Sequence, residues 1–145
     1  NLFDADAPIY THPRFLPGSK INMADIRRSM INAGCIIDRA TIRHSIIGLR
    51  SRIGKGAVIE DSFVFGADVY ELEKKTRKGK PPIGIGEKSV IRKAVIDKNV
   101  RIGRDVVLDN AGHLRKYDGP EERFFVRNGI IVVPKNAVIP DRFRF

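Results

Sequence analysis

A six-residue step opened by an aliphatic residue constrains this chain more than any other feature. Ile53-Gly54-Lys55-Gly56-Ala57-Val58 runs into Ile59, and Ile102-Gly103-Arg104-Asp105-Val106-Val107 runs into Leu108. Gly often follows the anchor, and a small or β-branched residue stands four places beyond it. Repeated hexads of this kind mark a parallel β-helix. Anchors fall at Ile36, Ile42, Ile47, Ile53 and Ile59, with one five-residue step between Ile42 and Ile47. They return at Ile85, Ile91, Ile96, Ile102 and Leu108, with the short step repeated between Ile91 and Ile96. The two blocks align at an offset of 49 residues, pairing Ile36 with Ile85, Arg43 with Arg92, Gly54 with Gly103, and Lys55 with Arg104. The same slip in both blocks indicates a duplicated unit. A third piece, Val133-Pro134-Lys135-Asn136-Ala137-Val138-Ile139, closes the pattern.

The spacing has a physical reading. A short strand turns its anchor inward, the following residues turn a corner, and three hexads close one triangular coil. Coils then stack at the usual strand separation of roughly 4.8 Å. Gly48, Gly54 and Gly103 follow anchors directly, where a corner is expected to need φ > 0. An antiparallel fold would instead need period-two alternation and regular hairpin turns, and only Asn128-Gly129 carries that signal. The predicted class is therefore all-β: a left-handed parallel β-helix of hexapeptide repeats with two inserted loops. The left hand is a property of hexapeptide helices as a class, against the general crossover rule, and the spacing does not prove it. A rod of this kind supplies packing surfaces and binding faces more readily than a buried reaction chamber.

A length of 145 residues suits one domain with a sizeable core. The net charge of +10 asks for an anionic partner: a phosphorylated metabolite, a nucleic acid or an acidic subunit. The constant offset should place Arg43 with Arg92, His44 with Lys93, and Arg52 with Arg101 on one face, roughly 10 Å apart. Nucleic-acid binding is not expected, because Trp is absent and the Phe residues cluster in a few segments rather than forming a stacking surface. No apolar run approaches the ~18–20 residues of a membrane span, so no membrane partner is expected. The chain opens Asn1-Leu2-Phe3-Asp4, without Met or a secretory leader, and reads as a piece of a longer cytoplasmic protein. Lone Cys35 reads as a small residue in a coil.

Two insertions interrupt the rod, at about 66–82 and 110–129. The first is a charged loop ending in Pro81-Pro82, and long loops in a compact domain are usually functional or disordered. Residues 1–20, with Pro8, Pro13 and Pro17, read as an extended connector from a preceding domain. Residues 21–145 then form the β-helix domain. No catalytic or metal-binding constellation is visible: His12, His44 and His113 have no metal-ligand spacing, and there is no glycine-rich phosphate loop. One enzymatic alternative remains. Hexapeptide acyltransferases resemble this rod and often use a His near a projecting loop as general base, a role His113 would take. The bland reading of His113 is a surface loop side chain.

Several segments carry a closer resemblance. They are Ala7-Pro8-Ile9-Tyr10-Thr11, Pro13-Arg14-Phe15-Leu16-Pro17, Ser45-Ile46-Ile47-Gly48-Leu49-Arg50-Ser51, Ile59-Glu60-Asp61, and Gly66-Ala67-Asp68. To these add Pro82-Ile83-Gly84-Ile85-Gly86, Ala94-Val95-Ile96-Asp97-Lys98-Asn99-Val100-Arg101-Ile102-Gly103, and Asn128 to Pro140. Together they resemble the region after the catalytic domain of ADP-glucose pyrophosphorylase (glucose-1-phosphate adenylyltransferase), most of all the plant and cyanobacterial type. Departures lie at His113 to Glu122 and at Asp141 to Phe145. The resemblance implies a parent enzyme that makes ADP-glucose and pyrophosphate from ATP and glucose 1-phosphate, for glycogen or starch. It implies an N-terminal nucleotidyltransferase domain using Mg²⁺, no cofactor in this segment, and a homo- or heterotetramer. The location would be cytoplasmic, or plastid in a plant. It also implies a regulatory and oligomerisation role, with Lys98 and Lys135 binding a phosphorylated activator, 3-phosphoglycerate in plant and cyanobacterial members. A phosphate suits charge-assisted lysine donors. For Lys98 and Lys135 to share a site, the 110–129 loop is expected to fold back between them. Regulatory domain and free-standing acyltransferase thus stand as the two readings.

Overall fold

The computed structural model describes residues 4–10, 12–71 and 79–145. Strands come in threes. β1 (Lys20–Asn22), β2 (Asp25–Arg27) and β3 (Met30–Ile31) are followed by β4 (Ile36–Asp38), β5 (Thr41–Arg43) and β6 (Ile46–Ile47). Next come β7 (Arg52–Ile53), β8 (Val58–Glu60) and β9 (Phe63–Val64), then β10 (Gly84–Ile85), β11 (Val90–Arg92) and β12 (Ala94–Ile96). β13 (Arg101–Ile102) and β14 (Val107–Leu108) precede a hairpin of β15 (Lys116–Asp118) and β16 (Phe125–Arg127). β17 (Ile130–Val133) and β18 (Val138–Ile139) end the series. Each strand of a triplet joins a different sheet. The sheets run β1-β4-β7-β10-β13-β18, β2-β5-β8-β11-β14, and β3-β6-β9-β12-β17-β16-β15. All pairings are parallel except those of the hairpin, so the rod is a three-sided prism.

The aliphatic anchors fill it. Ile42, Ile47, Ile53, Ile59, Ile85, Ile91, Ile96, Ile102 and Leu108 are all buried. Ile36 is the exception. It faces outward, and Ile37 takes the interior place instead, over Ile53. Successive strand residues alternate faces, and here Cys35 and Ile37 point in while Ile36 points out. The coil from Ile37 to Ile53 takes 16 residues and the coil from Ile42 to Ile59 takes 17, fewer than three full hexads. From Ile42 onward the 49-residue offset is the true register, with one coil between each matched pair. Lys55 and Arg104 lie outside.

The corner in the five-residue step carries a small residue three places after the anchor, for a reason the structure shows. The Ser45 amide donates to Ser29 Oγ, Ser62 to Ser45 Oγ, and Ala94 to Ser62 Oγ, at 3.1, 3.1 and 3.2 Å. Each hydroxyl in turn donates to the carbonyl two residues before it. A larger side chain would block this ladder. The buried Cys35 sits at another corner, where its amide donates to Ser19 Oγ and its Sγ lies 3.1 Å from the Gly48 carbonyl, and burial pushes its thiol up. The expectation for Gly48, Gly54 and Gly103 needs correcting. The left-handed corner positions fall on other residues, among them Arg39, His44, Lys93 and Asn136. Gly48 is required by close approach: a Cβ there would lie 2.1 Å from the Phe65 carbonyl oxygen of the next coil.

Within 66–82, the described residues leave the rod after β9 and rejoin it at β10. The charged stretch 72–78 lies outside the described residues. The second insertion is an antiparallel extension of one sheet, turned by Asn128-Gly129 at φ 52° and 79°. Its Phe124 is buried against Phe143 and Phe145, with Tyr117 stacked on Phe145. This aromatic cluster covers the last coil.

Candidate anion site at a lysine corner

Lys98 and Lys135 share one corner of the prism. β12 pairs with β17 in register, Ile96 beside Val133. The turns after the two strands therefore stack, and the Asn136 amide donates to the Lys98 carbonyl at 3.0 Å. Asn99 and Asn136 hold these turns at φ 60° and 64°, a conformation Asn tolerates better than most residues. The 110–129 insertion does not lie between the lysines. It departs and returns on the outer edge of the same sheet, because β17 pairs directly with β12.

The coil below adds a residue that sequence reasoning did not single out as functional. Asp68 follows Gly66-Ala67 at the same corner, at the root of the first insertion. Its Oδ1 lies 3.0 Å from Lys98 Nζ, and its Oδ2 lies 3.6 Å from Lys135 Nζ. Asn99 fixes it from both sides: Asn99 Nδ2 donates to Oδ2 at 3.0 Å, and the Asp68 amide donates to Asn99 Oδ1 at 2.8 Å. The Lys98 and Asn99 hydrogen bonds hold the carboxyl down at about 2. Two ammonium groups from residues far apart in sequence thus converge on one carboxylate. The only sequence cue was the register: Gly66 falls opposite Lys98 once the first insertion is removed.

The root of that insertion is pinned further along. Tyr70 Oη donates to the Gly34 carbonyl at 2.9 Å. Glu71 pairs with Arg101 at 2.7 Å and accepts the Ile83 amide, while Arg101 also reaches the Pro81 carbonyl. The space beneath, lined by Ile53, Val64, Ile85 and Ile96 among others, is about 10 Å³, room for no more than a water.

The other aligned cations behave differently. Glu60 lies between Arg43 and Arg92 and pairs with both, at 3.8 and 2.7 Å, and Asp25 and Asp109 extend the row. Asp61 lies between His44 and Lys93, 2.7 Å from His44 Nδ1. Arg52 is separated from Arg101 by Gly84. The register expectation holds, but the basic face is interleaved with carboxylates. His113 is exposed, with its backbone at φ 50°, on an open groove of about 900 Å³. Among the described residues its imidazole has no hydrogen-bond partner, so nothing orients it as a base. Among the described residues, no group of three or more His, Cys, Asp or Glu side chains is placed to hold a metal ion. No described helix is long and apolar enough to cross a membrane.

A parallel prism of short coils, with paired lysines at one corner, places the chain among hexapeptide-type β-helices. More narrowly, it belongs to the GLGC left-handed parallel beta-helix domain family, whose model matches residues 14–143 and supplies the hand of the coil. It is 44% identical over 144 residues to the glucose-1-phosphate adenylyltransferase small subunit, chloroplastic/amyloplastic, of Triticum aestivum. That match covers 97% of this chain and 30% of the relative, so the chain spans under a third of the length of that protein.

Proposed function

We propose that this chain is the C-terminal β-helix part of a glucose-1-phosphate adenylyltransferase subunit, and that Lys98 and Lys135 form part of its site for an anionic effector. The parent enzyme would join glucose 1-phosphate to ATP, releasing pyrophosphate, in a nucleotidyltransferase domain that binds Mg²⁺. The β-helix would serve regulation and assembly with other subunits, in a plastid if the source is a plant. One observation carries the site: two lysine ammonium groups meet a single carboxylate at a corner of the rod. A phosphate group presents the same kind of acceptor with more oxygens and more charge, which suits both lysines at once. The similarity to the wheat small subunit supports the enzyme assignment. The acyltransferase alternative is not favoured, since that relative is a nucleotidyltransferase and His113 lacks an orienting partner.

The test is activator titration of the intact enzyme carrying Lys98→Ala or Lys135→Ala. Each lysine–phosphate contact is expected to contribute about 1.5–3 kcal/mol. Each change should raise the 3-phosphoglycerate concentration for half-effect by roughly ten- to a hundredfold. Unchanged activation in both variants would remove the lysines from the effector site.

A further inference from the structure

We infer that Asp68 is a tethered competitor for the effector: it occupies the lysine pair in the absence of ligand and must be displaced when an anion binds. The inference rests on the effector-site reading above and adds its regulation. The geometry supports it in three respects. Asp68 Oδ1 and Oδ2 each face a different lysine, so one carboxylate satisfies both cations as an anionic ligand would. Asn99 reads that carboxylate through its amide at 3.0 Å, completing a small anion cradle already filled from within. Asp68 also lies in a different coil from either lysine, at the root of an insertion, so its side chain can turn away while the amide bond between the stacked turns of Lys98 and Lys135 stays in place.

A tethered group competes at an effective concentration set by its tether, so a free anion needs a higher concentration to win. Asp68 therefore sets the threshold of the response. Its charge alone is responsible, since an amide in its place could keep the Asn99 contacts but would not neutralise two lysines.

The experiment compares Asp68→Asn, Asp68→Glu, Lys98→Ala and Lys135→Ala in the intact enzyme. It titrates 3-phosphoglycerate in the activity assay and measures inorganic phosphate binding in the absence of substrates. Exposed ion pairs are individually weak. Losing two should lower both the half-effect concentration and the phosphate dissociation constant in Asp68→Asn by roughly three- to twentyfold. Asp68→Glu, which keeps the charge, should stay near the parent. Suppose Asp68→Asn leaves both values unchanged while the lysine variants raise them. The site then stands and the competitor role is overturned. A rise in both values for Asp68→Asn would also overturn it, making Asp68 a positioning residue that holds the lysines for the ligand. An equal drop in Asp68→Glu would show that charge is not the cause and overturn it too. If the lysine variants respond normally, the effector site itself fails, and the competitor with it.

Discussion

At the scale of single residues, burial decides which positions tolerate change. Ile102 is fully enclosed and lies between Ile85 and Ile139 in the stack. Ile102→Asp would place an unpaired carboxylate in the core and should destabilise by at least about 4 kcal/mol. A chemical-denaturation midpoint close to the parent's would show the hexad register to be wrong. Asp68 is the opposite case, a carboxylate at the surface with its acidity set by neighbours. Its folded pKa of about 2 lies below the ordinary 3.8, so its ionic contacts are fully present above the ordinary value. They are lost only as pH falls through about 2. Protonation of Asp68 therefore plays no part in its proposed exchange with an anion near neutral pH.

At the scale of elements, the corners carry the cost of the fold. Arg39, His44, Lys93 and Asn99 all sit at left-handed φ, which costs L-residues roughly 1–2 kcal/mol each. Amide-to-carbonyl bonds between successive corners, such as Arg39 to Asn22 and His44 to Arg27, offset part of it. The first insertion needs its own fastening, which Arg101 and Glu71 supply. Their side chains are only 18% and 8% exposed, so the pair is poorly screened. Glu71→Ala would leave the Arg101 guanidinium half-buried with one carbonyl partner. The expected loss is about 2–3 kcal/mol, between the values for exposed and fully buried pairs. Thermal melts of Glu71→Ala, Arg101→Met and the double variant test it. Additive effects would mean that the two side chains do not act as a pair.

At the scale of the whole molecule, a net charge of +10 is carried by a rod whose basic rows are largely answered by carboxylates. Arg43 and Arg92 share Glu60, and Lys98 and Lys135 share Asp68. The interior is filled by stacked aliphatic anchors and the last coil is covered by Phe124, Phe143 and Phe145. The chain corresponds to under a third of the adenylyltransferase it resembles. On the reading that the chemistry lies in the rest of such an enzyme, the purified 145-residue chain should produce no ADP-glucose from ATP and glucose 1-phosphate. Turnover above a no-protein control in a pyrophosphate-release assay would contradict this.

The sequence by itself determined the rod. Anchors at five- and six-residue spacing can all be buried only if short strands turn corners and stack, and that is legible without coordinates. The family resemblance alone points to Lys98 and Lys135; that each precedes an Asn at a left-handed corner is a finding of the structure. Several features needed the tertiary structure. Ile37 replaces Ile36 as an anchor because the coil running into Ile53 takes 16 residues, whereas that from Ile42 to Ile59 takes 17, a one-residue choice that two adjacent isoleucines hide. Gly48 is needed for close approach, a contact made only by the next coil. Asp68 meets Lys98 across a sequence separation of 30 residues, and an insertion of irregular length conceals that register. Local spacing fixes which side chains face inward; only stacking decides which charges from different coils meet at a corner.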